Sequence, residues 1–249
     1  MKLRRVSESV YCVQRRAYLS CSYFVTRPDG VVCVDAGLDA TGGDMVRGLK
    51  EAGRDVSEVR AILLTHWHND HAAGAARVQE QSGARVYYHA DAAPWFTREA
   101  AAKGVRGWLA RRLPDAGPFG PLRGMLDAAS PHRLDAHALV ADGDVVEGCF
   151  RVLETSGHEA GHVSYWFEKE RVLFAGDALA VAGDHVTYIG RWLTRDVEAA
   201  RASMLRCLEL PAKAICPGHR HPLVDPAPEH LAAMRAEVAA RQRWPVFGA

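Results

Sequence analysis

Val59-Arg60-Ala61-Ile62-Leu63-Leu64-Thr65 runs without a break into His66-Trp67-His68-Asn69-Asp70-His71. The first seven residues are apolar enough for a buried strand, and the next six hold three histidines and an aspartate. A strand that stops on such a run delivers ligand-type side chains to one edge of a sheet. On its N-terminal side, Val31-Val32-Cys33-Val34 reads as another short buried strand, ending at Asp35-Ala36-Gly37. Between the two strands, Met45, Val46 and Leu49 repeat at helical spacing over about residues 43–52, and Gly53 is a natural stop. Beyond the histidines, residues 72–81 read as a helix closed by Gly83, followed by the strand Ala84-Arg85-Val86-Tyr87-Tyr88. Strand, helix, strand, helix, strand predicts an α/β layered fold.

The second half repeats the theme less regularly. Phe150-Arg151-Val152-Leu153-Glu154 is a strand leading to Thr155-Ser156-Gly157-His158. Residues 163–167 and 171–174 form a hairpin around Glu168-Lys169-Glu170, followed by Gly176-Asp177. Residues 196–208 are helical with Asp196 as N-cap, Lys213-Ala214-Ile215-Cys216 is a strand before Pro217-Gly218-His219, and a last helix covers about 228–243. With no low-complexity linker, the halves are expected to share one core in a single domain over residues 1–249. Residues 91–134 differ: five prolines, several glycines and short helical pieces make them too long for a plain connection, so they read as a partly helical insertion.

Composition narrows the function. The 249 residues are 48% hydrophobic and 24% charged, an ordinary globular mix, and 31 Lys+Arg against 30 Asp+Glu give a formal charge of +1. That balance argues against nucleic acid or an anionic membrane as the main partner. The start of the chain has no apolar run behind its basic residues, and no stretch of about 18 apolar residues occurs, so neither a secretory signal nor a membrane span is expected. The six cysteines form no CxxC pair. Free thiols in a reducing cytoplasm are the expectation.

His66, His68, Asp70 and His71 put four ligand groups within six residues. In an extended or turning loop, His66 and His68 can face one way while Asp70 and His71 face another, so the run can serve two metals. At this point the chain resembles the metallo-β-lactamase superfamily, over nearly its whole length. Five parts of that pattern occur in order: Asp35 at the end of the first strand, His66-x-His68-x-Asp70-His71, His158 in Thr155-Ser156-Gly157-His158, Asp177 in Phe174-Ala175-Gly176-Asp177, and His219 in Pro217-Gly218-His219. Ser156 stands where proline is usual.

The resemblance implies a four-layer αββα sandwich with the site at one edge between two sheets. It assigns His66, His68 and His158 to one metal, Asp70, His71 and His219 to the other, and Asp177 as the bridge. Two Zn2+ are the expected cofactors, with iron or manganese as alternatives, and Asp70 and Asp177 are expected to serve catalysis as well as ligation. Asp35 is expected behind the ligands, orienting them by hydrogen bonding, and His162 as an outer support or substrate contact. The implied reaction is hydrolysis by a bridging hydroxide, without a covalent acyl-enzyme.

Members closest in pattern hydrolyse hydroxyacylglutathione, other acyl thioesters or lactones. True β-lactamases of the superfamily lack the aspartate at the Asp177 position. Lactonases commonly carry tyrosine three residues beyond it, where this chain has Ala180. A thioester suits the chain, because a thiolate with a pKa of about 8.5 leaves with little acid assistance. The expected partner is a small acyl substrate, with glutathione, coenzyme A or a carrier protein as its thiol portion. A lactone, or a persulfide oxidised at a single iron, is the alternative. Residues 91–134 and the loop Tyr188-Ile189-Gly190-Arg191-Trp192 are expected to supply specificity, with Tyr188, Arg191 and Trp192 as substrate contacts. Basic side chains of the insertion (Arg98, Lys103, Arg106, Arg111, Arg112 and Arg123) are candidate partners for an anionic handle.

Overall fold

The computed structural model describes residues 1–16, 18–97, 112 and 134–246. Seven strands form the first sheet in sequence order: β1 (Lys2–Arg5), β2 (Val10–Gln14), β3 (Cys21–Arg27), β4 (Gly30–Val34), β5 (Val59–Leu63), β6 (Arg85–His89) and β7 (Ala138–Val140). Neighbours are antiparallel from β1 to β4 and parallel from β4 to β7. The second sheet contains β8 (Val145–Val146), β9 (Phe150–Glu154), β10 (Val163–Phe167) and β11 (Val172–Gly176). A separate hairpin of β12 (Ala180–Ala182) and β13 (His185–Thr187) follows, and β14 (Ala214–Pro217) and β15 (Leu223–Val224) complete the second sheet in the order β15-β14-β11-β10-β9-β8.

Alternation along the strands sorts the core into three apolar layers. Between the sheets lie Val32, Val34, Ala61 and Leu63 from the first, and Val163, Tyr165, Phe167, Val172 and Phe174 from the second. The opposite faces carry the residues in between. Val31, Cys33 and Ile62 pack with Met45 and Leu49 of α1 (Gly43–Glu51) and Val78 of α3 (Ala75–Ser82). Trp166, Leu173 and Ile215 pack with Met204 and Cys207 of α5 (Val197–Leu208) and Val238 of α6 (Pro228–Ala240). Helix, sheet, sheet, helix is the αββα sandwich, because a strand period of two gives each sheet two apolar faces to cover. No helix among the described residues is long and apolar enough to cross a membrane.

Three local expectations change. The strands begin at Lys2, well before Val31: β1 to β3 form a meander that widens the first sheet. The helix expected over 72–81 is two pieces, α2 (Asn69–Ala72) and α3, parted at Gly74. There a Cβ would lie 2.4 Å from the Ala36 carbonyl oxygen, so the chain turns against the end of β4. Helix α6 stops at Ala240 rather than 243, as the chain bends back and the Trp244 indole donates to the Ile189 carbonyl at 2.7 Å. The Asp196 cap holds: its carboxylate accepts from the backbone of Glu198 and Ala199, each at 3.0 Å. The six cysteines are free, and all but Cys149 are buried.

The insertion expected over 91–134 lies largely outside the described residues, but both its ends are in view. It leaves through α4 (Ala93–Thr97), and the chain returns where Leu134 N–H donates to the Phe96 carbonyl at 3.3 Å. Exit and return therefore meet at one point beside β6.

Candidate metal centre

Each expected ligand sits at the end of a strand, on the edge where the two sheets meet. That edge is stitched together: Val163 N–H donates to the Thr65 carbonyl at 2.9 Å, and the Tyr165 hydroxyl to the Leu64 carbonyl at 2.9 Å. The unanticipated N-terminal meander secures the His219 loop. Cys21 N–H donates to the Gly218 carbonyl at 2.7 Å, Arg220 N–H to the Leu19 carbonyl at 2.7 Å, and the Tyr23 hydroxyl to the Pro217 carbonyl at 2.6 Å.

The side chains converge in three overlapping groups: His66 with His68 and His158, Asp70 with His71 and His219, and, joining these two, His66 with His71 and Asp177. His68 Nδ1 lies 3.1 Å from His158 Nε2, and His219 Nε2 lies 3.2 Å from Asp70 Oδ2. Asp177 stands between the first two groups: its Oδ2 is 3.4 Å from both His158 Nε2 and His219 Nε2, and its Oδ1 is 3.7 Å from His71 Nε2. Donors placed tetrahedrally at about 2.0–2.1 Å around a zinc ion would stand about 3.3 Å apart. The observed spacings fit.

Every imidazole here has one nitrogen tied outward and the other turned in. Asp35, buried at the end of β4 with φ +58°, accepts from Thr65 N–H at 2.8 Å, from the Thr65 hydroxyl at 2.9 Å and from His71 Nδ1 at 2.8 Å. The same hydroxyl oxygen accepts from His66 Nδ1 at 3.0 Å, so one carboxylate orients two rings. His158 Nδ1 donates to the Leu193 carbonyl and His219 Nδ1 to the Tyr18 carbonyl, the latter at 3.0 Å. His68 is reversed: its Nε2 donates to Glu159 Oε1 at 3.1 Å, leaving Nδ1 turned in. His66 Nε2, His71 Nε2 and Asp177 Oδ1 are buried with no hydrogen-bond partner, an arrangement that costs free energy unless something completes it. A cation does so for all three.

The electrostatics agree. Burial opposes charge on Asp70 and Asp177, yet the neighbouring His71 and His219 hold both carboxyls well below the usual range. Burial likewise opposes charge on His71, but Asp70, Asp177 and Asp35 keep it up at about 9. His219 is raised well above its ordinary value, with Asp177 the main cause against burial. The carboxylates thus demand positive charge, and protons on these two rings compete with a metal for the same place. His66 and His158 are pushed down, mainly by burial.

His162 is a support and does not face the cleft. Burial and then the neighbouring His158 take it down to about 3, its Nε2 accepts from Asp177 N–H at 2.9 Å, and its Nδ1 contacts the Thr155 hydroxyl at 2.9 Å. It therefore holds the backbone of Asp177. Gly157, with φ +139°, allows the His158 loop to lie on α5, where a Cβ would meet Ala200 at 2.4 Å.

A cleft of about 250 Å³ opens over the ligands, walled by Tyr18, Leu38, Trp67 and Leu193. Tyr188 is not among the described residues lining this cleft. Its ring packs on Trp244 at 4.9 Å and its hydroxyl contacts Glu237 at 3.2 Å, because alternation along the β13 end turns it into the layer beneath α6. Arg191 reaches the Thr194 carbonyl at 2.7 Å, and Trp192 is 78% exposed; from this loop it is Leu193 that lines the cleft. Of the basic residues proposed for the insertion, Arg112 is exposed, while Arg98, Lys103, Arg106, Arg111 and Arg123 lie outside the described residues. Thr65, Glu159 and the carbonyls of Tyr18 and Leu193 escape sequence reading, since none has a spacing signal.

Comparison with known proteins agrees with this geometry. The family model described as the metallo-beta-lactamase superfamily matches residues 16–219. A hydroxyacylglutathione hydrolase of Methylobacterium nodulans is 34% identical over 86% of this chain and 71% of its own length. A probable metallo-hydrolase of Bacillus subtilis is 28% identical over 81% of this chain and 80% of its own. Among solved structures, a metallo-beta-lactamase family protein from Thermus thermophilus superposes with a TM-score of 0.66 at 26% identity, covering 95% of this chain and 81% of that one.

Proposed function

The chain belongs to the metallo-β-lactamase superfamily, and from that premise we propose that it is a dinuclear metallo-hydrolase, with zinc as the expected ion, acting on a thioester or ester of a small acyl substrate. The observation that carries the two-ion reading is Asp177 Oδ2, 3.4 Å from one histidine of each ligand group. His66, His68 and His158 would hold one ion, Asp70, His71 and His219 the other, and Asp177 both. Bound there, the ions would bring the pKa of a water between them towards about 7 and polarise an acyl carbonyl. The chain's own part is positional. Asp35, Thr65 and His162 keep ligands and backbone in register, and Tyr18, Leu38, Trp67 and Leu193 shield the acyl group from water.

The cleft favours a good leaving group. Apart from the candidate ligands, the described residues lining it are Tyr18, Leu38, Trp67, Asn69 and Leu193, with no carboxylic acid or imidazole left over to protonate a poor one. A thiolate needs little such help. The name of the Methylobacterium relative favours a glutathione thioester, with coenzyme A and carrier-protein thioesters as the other members of the class. The fold is read here as one domain with an insertion over about 91–134. Supporting that, its described ends meet at Phe96 and Leu134, and Trp95 of α4 stacks on Trp67 of the cleft wall at 3.8 Å. A cytoplasmic setting, where six unpaired thiols persist, belongs to the same proposal.

Reconstituted protein is expected to bind two equivalents of zinc, and His219→Ala one. One equivalent in both proteins would reduce the centre to a single ion. For substrate, kcat/KM on paired thioester, oxygen-ester and lactone compounds is expected to rank the thioester first. Trp192→Ala should alter KM or that ranking with metal content intact, which is the mark of lost binding. A lactone ranked first, or oxygen consumed with a persulfide, would replace the thioester reading.

A further inference from the structure

Resting on the metal-centre reading, we propose that Glu159, locked by Arg195, is a positioning residue that sets the affinity of the His66/His68/His158 position for its ion. Of the five rings, only His68 turns Nδ1 inward, and its outward Nε2 donates to Glu159 Oε1 at 3.1 Å. Glu159 is 6% exposed. Among the described residues its carboxylate is held by one other side chain, the Arg195 guanidinium, whose Nε donates to the same Oε1 at 2.6 Å. The Arg195 backbone is itself fixed, since its N–H and that of Asp196 donate to the Gly157 carbonyl at 2.8 and 3.0 Å. Glu159 is buried while the Arg195 side chain over it is 64% exposed, so the carboxylate leaves His68 only by breaking this ion pair at the surface.

This arrangement matters because the two ion positions differ in charge. The Asp70/His71/His219 group contains a carboxylate of its own, whereas the other group has three imidazoles and only a share of Asp177. A carboxylate accepting the outer N–H of a ligand histidine fixes the tautomer and makes the inner nitrogen a stronger donor. Glu159 supplies that from behind His68. It also connects the ion to the cleft, for Arg195 lies two residues beyond Leu193, which lines the cleft and whose carbonyl orients His158. The ring that faces the ion and the wall that faces the substrate are thus held by one short segment.

The test isolates the position by working in a His219→Ala background, which keeps His66, His68 and His158. Zinc and cobalt affinities are measured by competition with a chromophoric chelator, and the visible spectrum of the cobalt form is recorded alongside. Glu159→Ala is expected to weaken binding about 10- to 100-fold and to shift the cobalt bands, as loss of an outer hydrogen bond to a ligand does. Glu159→Gln is the decisive partner. Both contacts fall on one oxygen, so an amide oxygen there accepts from both donors and keeps the His68 tautomer; affinity should recover to within about fivefold of the parent, the remaining loss being that of the charge. A merely structural role would not give that rescue with a spectral shift confined to the alanine variant. Glu159→Ala binding as tightly as the parent, or Glu159→Gln as weakly as Glu159→Ala, overturns the role. A parent that takes up no metal would overturn the metal centre, and this role with it.

Discussion

Replacing Asp177 by alanine should lower kcat/KM at least about a thousandfold, equivalent to about 4 kcal/mol of lost transition-state stabilisation, and leave fewer than two metal equivalents bound. The Asp177 carboxylate reaches both ligand groups. Its Oδ2 is equidistant from His158 and His219, and its Oδ1 faces His71 with no hydrogen-bond partner of its own. Its removal leaves three histidine nitrogens without the negative charge that draws cations to them. Asp177→Asn should fare little better, because a neutral amide is a weak ligand and its NH2 end has no lone pair to offer a cation. The backbone of residue 177 stays on His162 in either variant, so the fold should persist by circular dichroism. Near-native turnover with two bound equivalents in either protein would remove Asp177 from the shared place.

Gly218→Ala should be nearly as damaging, although it changes no ligand. A Cβ at this position would lie 2.2 Å from Asp177 Oδ1 and 2.4 Å from His71 Cε1. The loop cannot retreat, for Gly218 N–H donates to the Gly176 carbonyl at 2.8 Å and its own carbonyl accepts from Cys21 at 2.7 Å. The side chains must yield instead, by about 1 Å to regain van der Waals contact, and a displacement of that size costs about a hundredfold in rate. Activity and metal stoichiometry should fall together in this variant, whereas secondary structure should not change. Full activity with two equivalents bound would mean that Asp177 and His71 have more room than the packing allows.

His66-x-His68-x-Asp70-His71 is legible because its ligands lie within six residues, directly after a strand whose apolar run is unmistakable. His158, Asp177 and His219 each follow a strand in the sequence, and the structure brings them to the same edge. An α/β layered fold is legible for a similar reason, from continuous apolar strands such as Val172-Leu173-Phe174 between helical stretches, whereas the αββα order is what the resemblance to the superfamily implies. Periodicity is a local property, and wherever a local pattern decides the outcome the chain can be read directly.

Contacts between distant positions are another matter, and folding alone establishes them. Thr65 serves Asp35 thirty residues away, Glu159 meets His68 across ninety-one, and the Tyr18 carbonyl orients His219 across two hundred and one. None of these partners has a spacing that marks it, because their relation arises only when the two sheets close on each other. Tyr188 shows the same limit in reverse. Its place shortly after Asp177 suggests a cleft residue, but one step of strand alternation sends its ring beneath α6 and leaves Leu193 to line the site. Which groups can bind, and their order along the chain, can be read from the residues in a row. Which nitrogen of each ring faces inward, and what holds it there, is settled by packing, since a hydrogen bond between remote segments depends on where the whole fold puts them.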